Sequence, residues 1–268
     1  KMNDMQIHLN DTQWSEPDRN SGEPEVYDKV EASHRLESEL FPSLATQEAK
    51  FEVAAGQWNN KYGGDYAGRY DYYYESHTGA GGELYYTKDE YRSLEDLAKE
   101  RGIRLVSELD TPGHATPYNK YVYNHQEEVI RSLADHGYLN ESDYLNADGT
   151  VKKNFYTHNP NNFEVFSIDD ENSNAQVRQN AIHAKIFIKA LFDEYLGGID
   201  GIEPLFTVDT VHAGVDEYFD RNEYNKQAFR RYMNEMYDFL GTGSEDAYGK
   251  EVRMWGGLKL MGGSEGVN

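Results

Sequence analysis

The order of elements in this sequence predicts an α/β fold that forms part of a (β/α)8 TIM barrel. Strand-like runs alternate with amphipathic helices along the chain. One helix runs into a strand with almost no loop, as in a parallel βαβ unit. Each strand also ends in polar residues, Gly or Pro, at the edge where parallel α/β folds collect their chemistry. The alternative fold is a doubly wound open sheet.

The first elements are a strand and two loops. MQIHLND (5–11) alternates apolar and polar residues and breaks at Asn-Asp, which predicts a strand that runs into a loop. Residues 12–34 are polar around SEPDRNSGEPE and predict a long surface loop. The Gly- and Tyr-rich stretch 64–83 also predicts a loop, and its glycines do not form a phosphate-binding pattern.

The clearest local unit is the helix in TKDEYRSLEDLAKERG (87–102). Thr87 and Glu90 form a capping box, and Gly102 stands where a helix C′ glycine is expected. The predicted buried face consists of Tyr91, Leu94, Leu97 and Ala98.

Two further helix–strand pairs complete the alternation. Strong amphipathic patterns predict helices at 175–196 and 222–241. The four predicted strands are 5–11, 103–109, 205–212 and 251–257. Because the carboxyl ends of parallel strands share one edge, the polar residues that follow these strands are expected to converge.

Composition narrows the classes of function. The chain has 268 residues, which suits one large domain, with 26 basic and 48 acidic residues and a formal charge of −22. This charge argues against nucleic acid and anionic membranes as partners. The absence of cysteine excludes disulfides and thiolate chemistry. No stretch approaches the roughly 18 apolar residues that a membrane span requires.

No motif for a metal or a cofactor stands out. The sequence has no HExxH, and DYLNADGTV (143–151) has the wrong frame for a calcium loop and predicts a turn. It has no GxSxG and no Asp-Thr-Gly, which leaves acyl-transfer nucleophiles and aspartic proteases without support. We therefore expect neither a metal nor a cofactor.

Carboxylates at the strand ends remain as the chemical candidates. A barrel would bring Asp11, His114, Asp216 and Glu217 to one rim, and paired carboxylates indicate glycoside hydrolysis. The usual schemes place two carboxyl groups roughly 5 to 9.5 Å apart on opposite sides of the sugar. Adjacent residues that leave a strand point in different directions, so a scheme with one protein acid fits better. In that scheme the 2-acetamido group of the substrate attacks its own anomeric carbon.

Several segments together resemble glycoside hydrolase family 20, which contains β-N-acetylhexosaminidases and lacto-N-biosidases. The segments are KMNDMQIHLND, RLESELFPSLA (35–45), YYTKDEYRSLEDLAKERGIRLVSELDTPGHA, VHAGVDE and the Trp of MWGG. The likeness runs from the second barrel strand of that family to about its fifth. It implies that residues 1–268 form an incomplete catalytic domain with an insertion near 14–34, and that the rest of the barrel lies outside this chain.

The resemblance implies a role for each matched residue. Asp216 corresponds to the carboxylate that orients the acetamido group, and Glu217 to the general acid that later acts as base on water. His114 and Asp11 correspond to a chain that supports Glu217. Val215 departs from the family pattern, which has Gly-Gly before Asp-Glu. The expected substrate-binding residues are Trp255 and His212.

The function implied is that of an exo-acting, retaining glycosidase that removes terminal β-linked N-acetylhexosamine from glycans. One alternative is a lacto-N-biosidase that releases a disaccharide, and another is a carbohydrate-binding barrel without catalysis. The expected location is the outside or the cell surface of a bacterium, although residues 1–268 contain no signal peptide.

Overall fold

The computed structural model describes residues 3–13, 31–45, 85–160, 162–215, 218 and 223–255. Its strands are β1 (Asp4–His8), β2 (Asn10–Gln13), β3 (Glu31–His34), β4 (Arg104–Thr111), β5 (His158–Asn159), β6 (Asn162–Phe166), β7 (Thr210–Gly214) and β8 (Glu251–Arg253). Its helices are α1 (Pro42–Ala45), α2 (Lys88–Glu100), α3 (Thr116–Asn124), α4 (Gln126–Asp135), α5 (Glu141–Tyr144), α6 (Ala175–Leu196) and α7 (Glu223–Leu240).

The main sheet confirms the α/β prediction. Four parallel strands lie in the order β1-β4-β7-β8, so neighbours in space follow the order of the chain. A doubly wound sheet reverses its strand order at one point, and these four strands show no such reversal. The order therefore favours the barrel over the open sheet, while closure into eight strands stays a prediction.

The sheet curves toward one face. Nη1 of Arg253 in β8 lies 2.8 Å from Oδ2 of Asp4 in β1, although two strands separate them. In a flat sheet these strands would be roughly 14 Å apart, and their side chains would stand perpendicular to the sheet. The contact is possible because the sheet bends, and the concave face carries the polar side chains.

The other face of the sheet is mainly apolar and lies against the helices, with Ser107 and Thr111 as its polar members. Leu105, Leu109, Val211 and Ala213 on this face are buried. The largest fully buried side chains among the described residues are tyrosines and phenylalanines, such as Tyr118 in α3, so some of the abundant Tyr belongs to the core. The sheet thus separates an apolar core from a polar concave face.

Helix α2 confirms the predicted caps and corrects the predicted buried face. The Thr87 side chain accepts from the Glu90 N–H, and Glu90 in turn accepts from the Thr87 N–H. The prediction was wrong for Leu97, which is 47% exposed. Glu95 is buried instead, because its carboxylate accepts hydrogen bonds from the backbone and the hydroxyl of Thr207, in the segment that leads into β7.

The later elements differ from prediction mainly at their ends. Helix α6 has the predicted bounds, and α7 is one residue shorter at each end than predicted. The strand predicted at 205–212 begins only at Thr210. Both Leu205 and Phe206 donate to the carbonyl of Tyr195, which ties residues 205–206 to the end of α6 and keeps them out of the sheet.

The predicted surface loop at 12–34 needs a correction. Strands β2 and β3 pair antiparallel, with Asn10 opposite His34 and Gln13 opposite Glu31, so both ends of the predicted loop are strand. Residues 14–30 and the predicted loop at 64–83 lie outside the described residues. The turn predicted at 143–151 is confirmed by the bridge between Leu145 and Val151.

Helices α3 and α4 and the β5–β6 hairpin follow β4 and were not predicted. The hairpin packs against the loop that leaves β4, as Ala115 N donates to Glu164 O (2.8 Å) and Phe166 N donates to Pro112 O (2.9 Å). Among the helices that the structure describes, none has the length and apolar character of a membrane span.

Candidate active site

Asn10 joins the carboxyl ends of β1 and β4. Its buried side-chain amide donates to the carbonyls of Asp110 (2.9 Å) and His114 (3.2 Å), and its side-chain oxygen accepts from Asp110 N (2.8 Å). These three hydrogen bonds hold the end of β4 and the loop that follows it against Asn10, the residue that precedes Asp11.

Asp11 and His114 meet at this rim, as the sequence led us to expect. Oδ1 of Asp11 lies 2.9 Å from Nδ1 of His114, and the side chains are 63% and 12% exposed. His114 has φ 48°, in the left-handed region that non-glycine residues rarely adopt. The hydrogen bonds from Asn10 and from the β5–β6 hairpin hold the loop in this conformation.

Asp110 holds the point where β7 ends. Its Oδ1 accepts the backbone N–H of Val215 at 3.0 Å, and its Oδ2 lies 3.4 Å from Nε2 of His8. Gly214 and Val215 both have φ 71°. A Cβ on Gly214 would lie 1.9 Å from Asp110 Oδ1, so only glycine fits there. Val215, a β-branched residue, is an outlier at such a φ, and the strain marks the exit of β7 as a constrained position.

The predicted catalytic pair follows this constrained exit in the chain. Asp216 and Glu217 lie outside the described residues. Their roles stay predictions, as do those of the other predicted site residues.

Glu108 lies at the centre of the concave face. The carboxylate is fully buried and faces three donors: Nε1 of Trp255 at 2.6 Å, Nδ1 of His212 at 3.1 Å, and the side-chain amide of Gln6. Burial alone would raise the pKa of Glu108, but the hydrogen bonds from His212 and Gln6 and the nearby His8 outweigh it, so the pKa lies below its ordinary value. The buried group is therefore a carboxylate, not a carboxylic acid, at neutral pH.

The proton of His212 is assigned by the same contacts. Its Nδ1 lies 3.1 Å from Glu108 and also 3.1 Å from the backbone N–H of Gly214. One ring nitrogen cannot donate to the first group and accept from the second. We place the proton on Nδ1 toward Glu108, because an anionic acceptor makes the stronger hydrogen bond.

Trp255 presents its ring at the rim beside His212. Its backbone N–H donates to the carbonyl of Gly214 at 2.9 Å, and its ring centroid lies 5.1 Å from that of His212. The ring is 43% exposed, whereas His212 is buried behind it. Of the two predicted substrate-binding residues, the structure therefore presents Trp255 more openly.

His8, Glu108 and Asp110 have ligand atoms that lie within 4.8 Å of one another. Such a cluster has the donor types of a metal site. However, Glu108 already accepts from Trp255 and Gln6, and Asp110 accepts from Val215. The hydrogen bonds account for Glu108 and for Oδ1 of Asp110, whereas Oδ2 of Asp110 lies 3.4 Å from Nε2 of His8.

Sequence reasoning missed four of these residues as members of the site: His8, Asn10, Glu108 and Asp110. Their signal was the period-two pattern of polar residues on one side of each strand, as in Glu108 and Asp110 of ELDTPGH. When a strand is expected to be buried on both faces, polar residues at every second position indicate that one of the two buried faces is polar.

The fold and this rim define a class, an α/β protein with carboxylates and histidines gathered at the carboxyl ends of parallel strands. Within that class the chain belongs to glycosyl hydrolase family 20: the model of the catalytic domain of this family matches residues 1–239. Among curated proteins, none matches the chain significantly.

Solved structures of hexosaminidases are similar to this chain. A mutant Streptomyces plicatus beta-hexosaminidase in complex with product (GlcNAc) is 20% identical with a TM-score of 0.46, and the match covers 98% of this chain and 35% of that one. The Streptomyces coelicolor beta-N-acetylhexosaminidase is 20% identical with a TM-score of 0.45 and the same coverages. The Bacteroides fragilis beta-N-acetylhexosaminidase is 17% identical with a TM-score of 0.45, and the match covers 95% of this chain and 35% of that one. The chain thus spans about a third of the length of these proteins.

Proposed function

We propose that this chain belongs to an exo-acting, retaining glycoside hydrolase that removes terminal β-linked N-acetylhexosamine. The observation that carries the proposal is the Asp11–His114 pair, because a carboxylate that orients an imidazole is a common support for an acid/base residue. In the chain, Asp216 and Glu217 follow the end of β7, a strand whose carboxyl end lies at the same edge of the sheet. Membership of the family supports hydrolysis of a glycosidic bond.

The proposed first step is attack by the substrate on itself. The carbonyl oxygen of the 2-acetamido group bonds to the anomeric carbon, and the bond to the leaving oxygen breaks as Glu217 donates its proton. Asp216 accepts a hydrogen bond from the acetamido N–H, and its negative charge stabilises the oxazolinium ion that forms. The second carboxylate of the pair therefore needs no place on the opposite side of the sugar.

The second step returns the proton. Glu217, now a carboxylate, takes a proton from water while the water oxygen bonds to the anomeric carbon and the oxazolinium ring opens. Two inversions at one carbon give net retention. Glu217 ends the cycle protonated, ready for the next substrate.

Asp11 and His114 are proposed to tune this proton transfer. With its Nδ1 hydrogen-bonded to the Asp11 carboxylate, His114 holds its proton at Nδ1 and keeps Nε2 as an acceptor. We propose that Nε2 accepts a hydrogen bond from the protonated carboxyl group of Glu217. Trp255 is proposed to pack its ring on the apolar face of the sugar.

The test uses the full-length protein and a tetrasaccharide that ends in β-linked N-acetylhexosamine. We expect release of the monosaccharide with retained configuration, measured by NMR of the first product. Release of a disaccharide from a matched tetrasaccharide, in which a further sugar caps the N-acetylhexosamine, would instead indicate the lacto-N-biosidase alternative. Binding without turnover would contradict the proposal and indicate a carbohydrate-binding barrel.

The Glu217→Gln variant tests the general acid. We expect it to lose roughly 10²–10⁴-fold in rate on the natural glycan. The loss should be much smaller on an aryl glycoside whose activated phenol leaves without protonation. Glu203→Gln, at an exposed position, is the control with unchanged rates. Equal losses of Glu217→Gln on both substrates would remove Glu217 from this role.

The extracellular or cell-surface location also stays a proposal. Fractionation of the source cells, followed by an assay of each fraction on an N-acetylhexosaminide, is the direct test.

A further inference from the structure

We propose that Glu108 is a positioning residue that fixes the indole of Trp255 and thereby sets one wall of the sugar pocket. This inference rests on the proposed function for the sugar, but its structural part, the Glu108–Trp255 anchor, is independent of any activity. Nothing in the catalytic scheme above requires Glu108, which makes a fully buried carboxylate at the centre of the site a group in need of a role.

The anchor is a hydrogen bond at the edge of an exposed ring. Nε1 of Trp255 donates to Oε1 of Glu108 at 2.6 Å, and the backbone N–H of Trp255 donates to Gly214 O. The ring packs beside His212 but is still 43% exposed. A half-exposed Trp beyond the end of a short strand would otherwise sample several rotamers, and the bond at Nε1 selects one of them.

A carboxylate suits this position better than a neutral group. Glu108 takes donors from Gln6 in β1, from His212 in β7 and from Trp255 after β8. Charge-assisted hydrogen bonds are shorter and stronger than neutral ones, and they offset the cost of burying the charge. Glu108, in β4, therefore ties the ring to each of the other strands of the described sheet.

The consequence for the substrate is preorganisation. A wall fixed before the sugar arrives loses no rotamer entropy on binding, whereas a free indole must be ordered each time. This term acts on the ground state and the transition state alike. Loss of the anchor should therefore raise KM more than it lowers kcat.

The first experiment measures the anchor itself in the full-length protein. The indole ¹H–¹⁵N signal of Trp255, assigned through its loss in Trp255→Phe, should lie downfield and exchange slowly with solvent. In Glu108→Gln it should move upfield and exchange faster, because a neutral acceptor replaces the carboxylate. Gln is isosteric with Glu, and the amide of Gln6 can turn to accept from it, so this variant should fold. Glu95→Gln changes another buried carboxylate and should leave the signal in place.

The second experiment is a double-mutant cycle on an aryl N-acetylhexosaminide. Glu108→Gln should lower kcat/KM roughly 10-fold, mostly through KM. In the Trp255→Phe background, which has no indole N–H, the same change should have little further effect. Additive losses would mean that Glu108 acts without Trp255 and would overturn the proposal.

The two experiments separate the failure of the anchor from the failure of the proposed function. An indole signal that Glu108→Gln leaves unchanged would overturn the anchor, whatever the activity. If Glu108→Gln moves the indole signal but the wild-type protein hydrolyses no N-acetylhexosaminide, the anchor is confirmed. The proposed function is then overturned, together with the sugar wall.

Discussion

The Asp11 carboxylate lies 2.9 Å from Nδ1 of His114, although 103 residues separate them in the sequence. The Asn10 amide, one residue before Asp11, bonds the carbonyls of Asp110 and His114 and so brings the two ends together. The pair is thus a product of the parallel β1–β4 pairing, and it stands at the carboxyl edge of the sheet.

The Asp11→Asn variant tests what this pair does. An amide makes a weaker bond to the imidazole, and loss of a hydrogen bond to a charged group costs about 1.5–3 kcal/mol. That corresponds to roughly a 10- to 100-fold fall in kcat/KM. If His114 supports the acid/base residue, the limb of the pH–rate profile that reports Glu217 should also shift. A uniform fall across all pH values would assign Asp11 to structure alone.

The Gly214→Ala variant tests the contact between β7 and Asp110. The added Cβ would lie 1.9 Å from Asp110 Oδ1 and 2.4 Å from its Cα, at φ 71°. We expect the free energy of unfolding to fall by roughly 3 kcal/mol or more. Gly249→Ala is the control, because Gly249 has φ 68° but no atom within 4 Å of the position that its Cβ would take, so only the backbone cost of about 1–2 kcal/mol applies. If urea unfolding gives equal losses of unfolding free energy for Gly214→Ala and Gly249→Ala, then β7 and Asp110 shift to accommodate the added methyl group.

The Val215→Gly variant tests the strain at the end of β7. Glycine should relieve about 1–2 kcal/mol of left-handed backbone strain. This gain offsets most of the free energy that is lost with the buried Val215 side chain. Val211→Gly removes a buried valine from the same strand where no such strain exists. It should therefore cost roughly 1–2 kcal/mol more than Val215→Gly. A larger cost at Val215 would contradict the strain.

The stability of the fold should fall in mild acid because of buried histidines. Burial lowers the pKa of His34 to about 3 from an ordinary value of 6.5, and lowers the pKa of His158 and of His183 to about 4. Below pH 6.5 the unfolded chain gains protons that the folded chain refuses until its lower pKa is reached. Stability is therefore full above pH 6.5 and is lost by about 1.4 kcal/mol per pH unit for each such histidine as the pH falls.

Urea unfolding at pH 7.0 and pH 5.0 measures this effect. His34→Gln should lose less stability between the two values than the wild type does. The control, His136→Gln at an exposed position, should keep the wild-type dependence on pH. The same loss in all three proteins would remove His34 as a cause.

The elements that could be predicted from the sequence are those whose signals come from residues close together in the chain. The capping box at Thr87 and the 22-residue pattern of α6 fixed those helices, because neighbours along the chain determine both. The β2–β3 pairing could not be predicted, since NDTQ and EASH contain hardly any of the apolar residues whose alternation predicts a strand. Leu97 was placed wrongly because tertiary partners of Glu95, which helical periodicity does not contain, decide which side of α2 is buried.

The site shows the same division. Strand ends and motifs led to Asp11 and His114, and the structure brings them together. The buried carboxylates Glu108 and Asp110 were inside a quoted motif, yet their partners come from β1, β7 and the segment after β8. Such partners become visible only when the strand order is known.

The proposed mechanism makes the acetamido group of the substrate the nucleophile. Its most direct test is kcat/KM of the full-length protein on aryl N-acylglucosaminides whose acetyl group carries zero, one, two or three fluorines. Fluorine withdraws electrons from the carbonyl oxygen with little change in size, so we expect kcat/KM to fall with each added fluorine. Rates that do not change along the series, together with a covalent sugar ester on a protein carboxylate, would contradict the account.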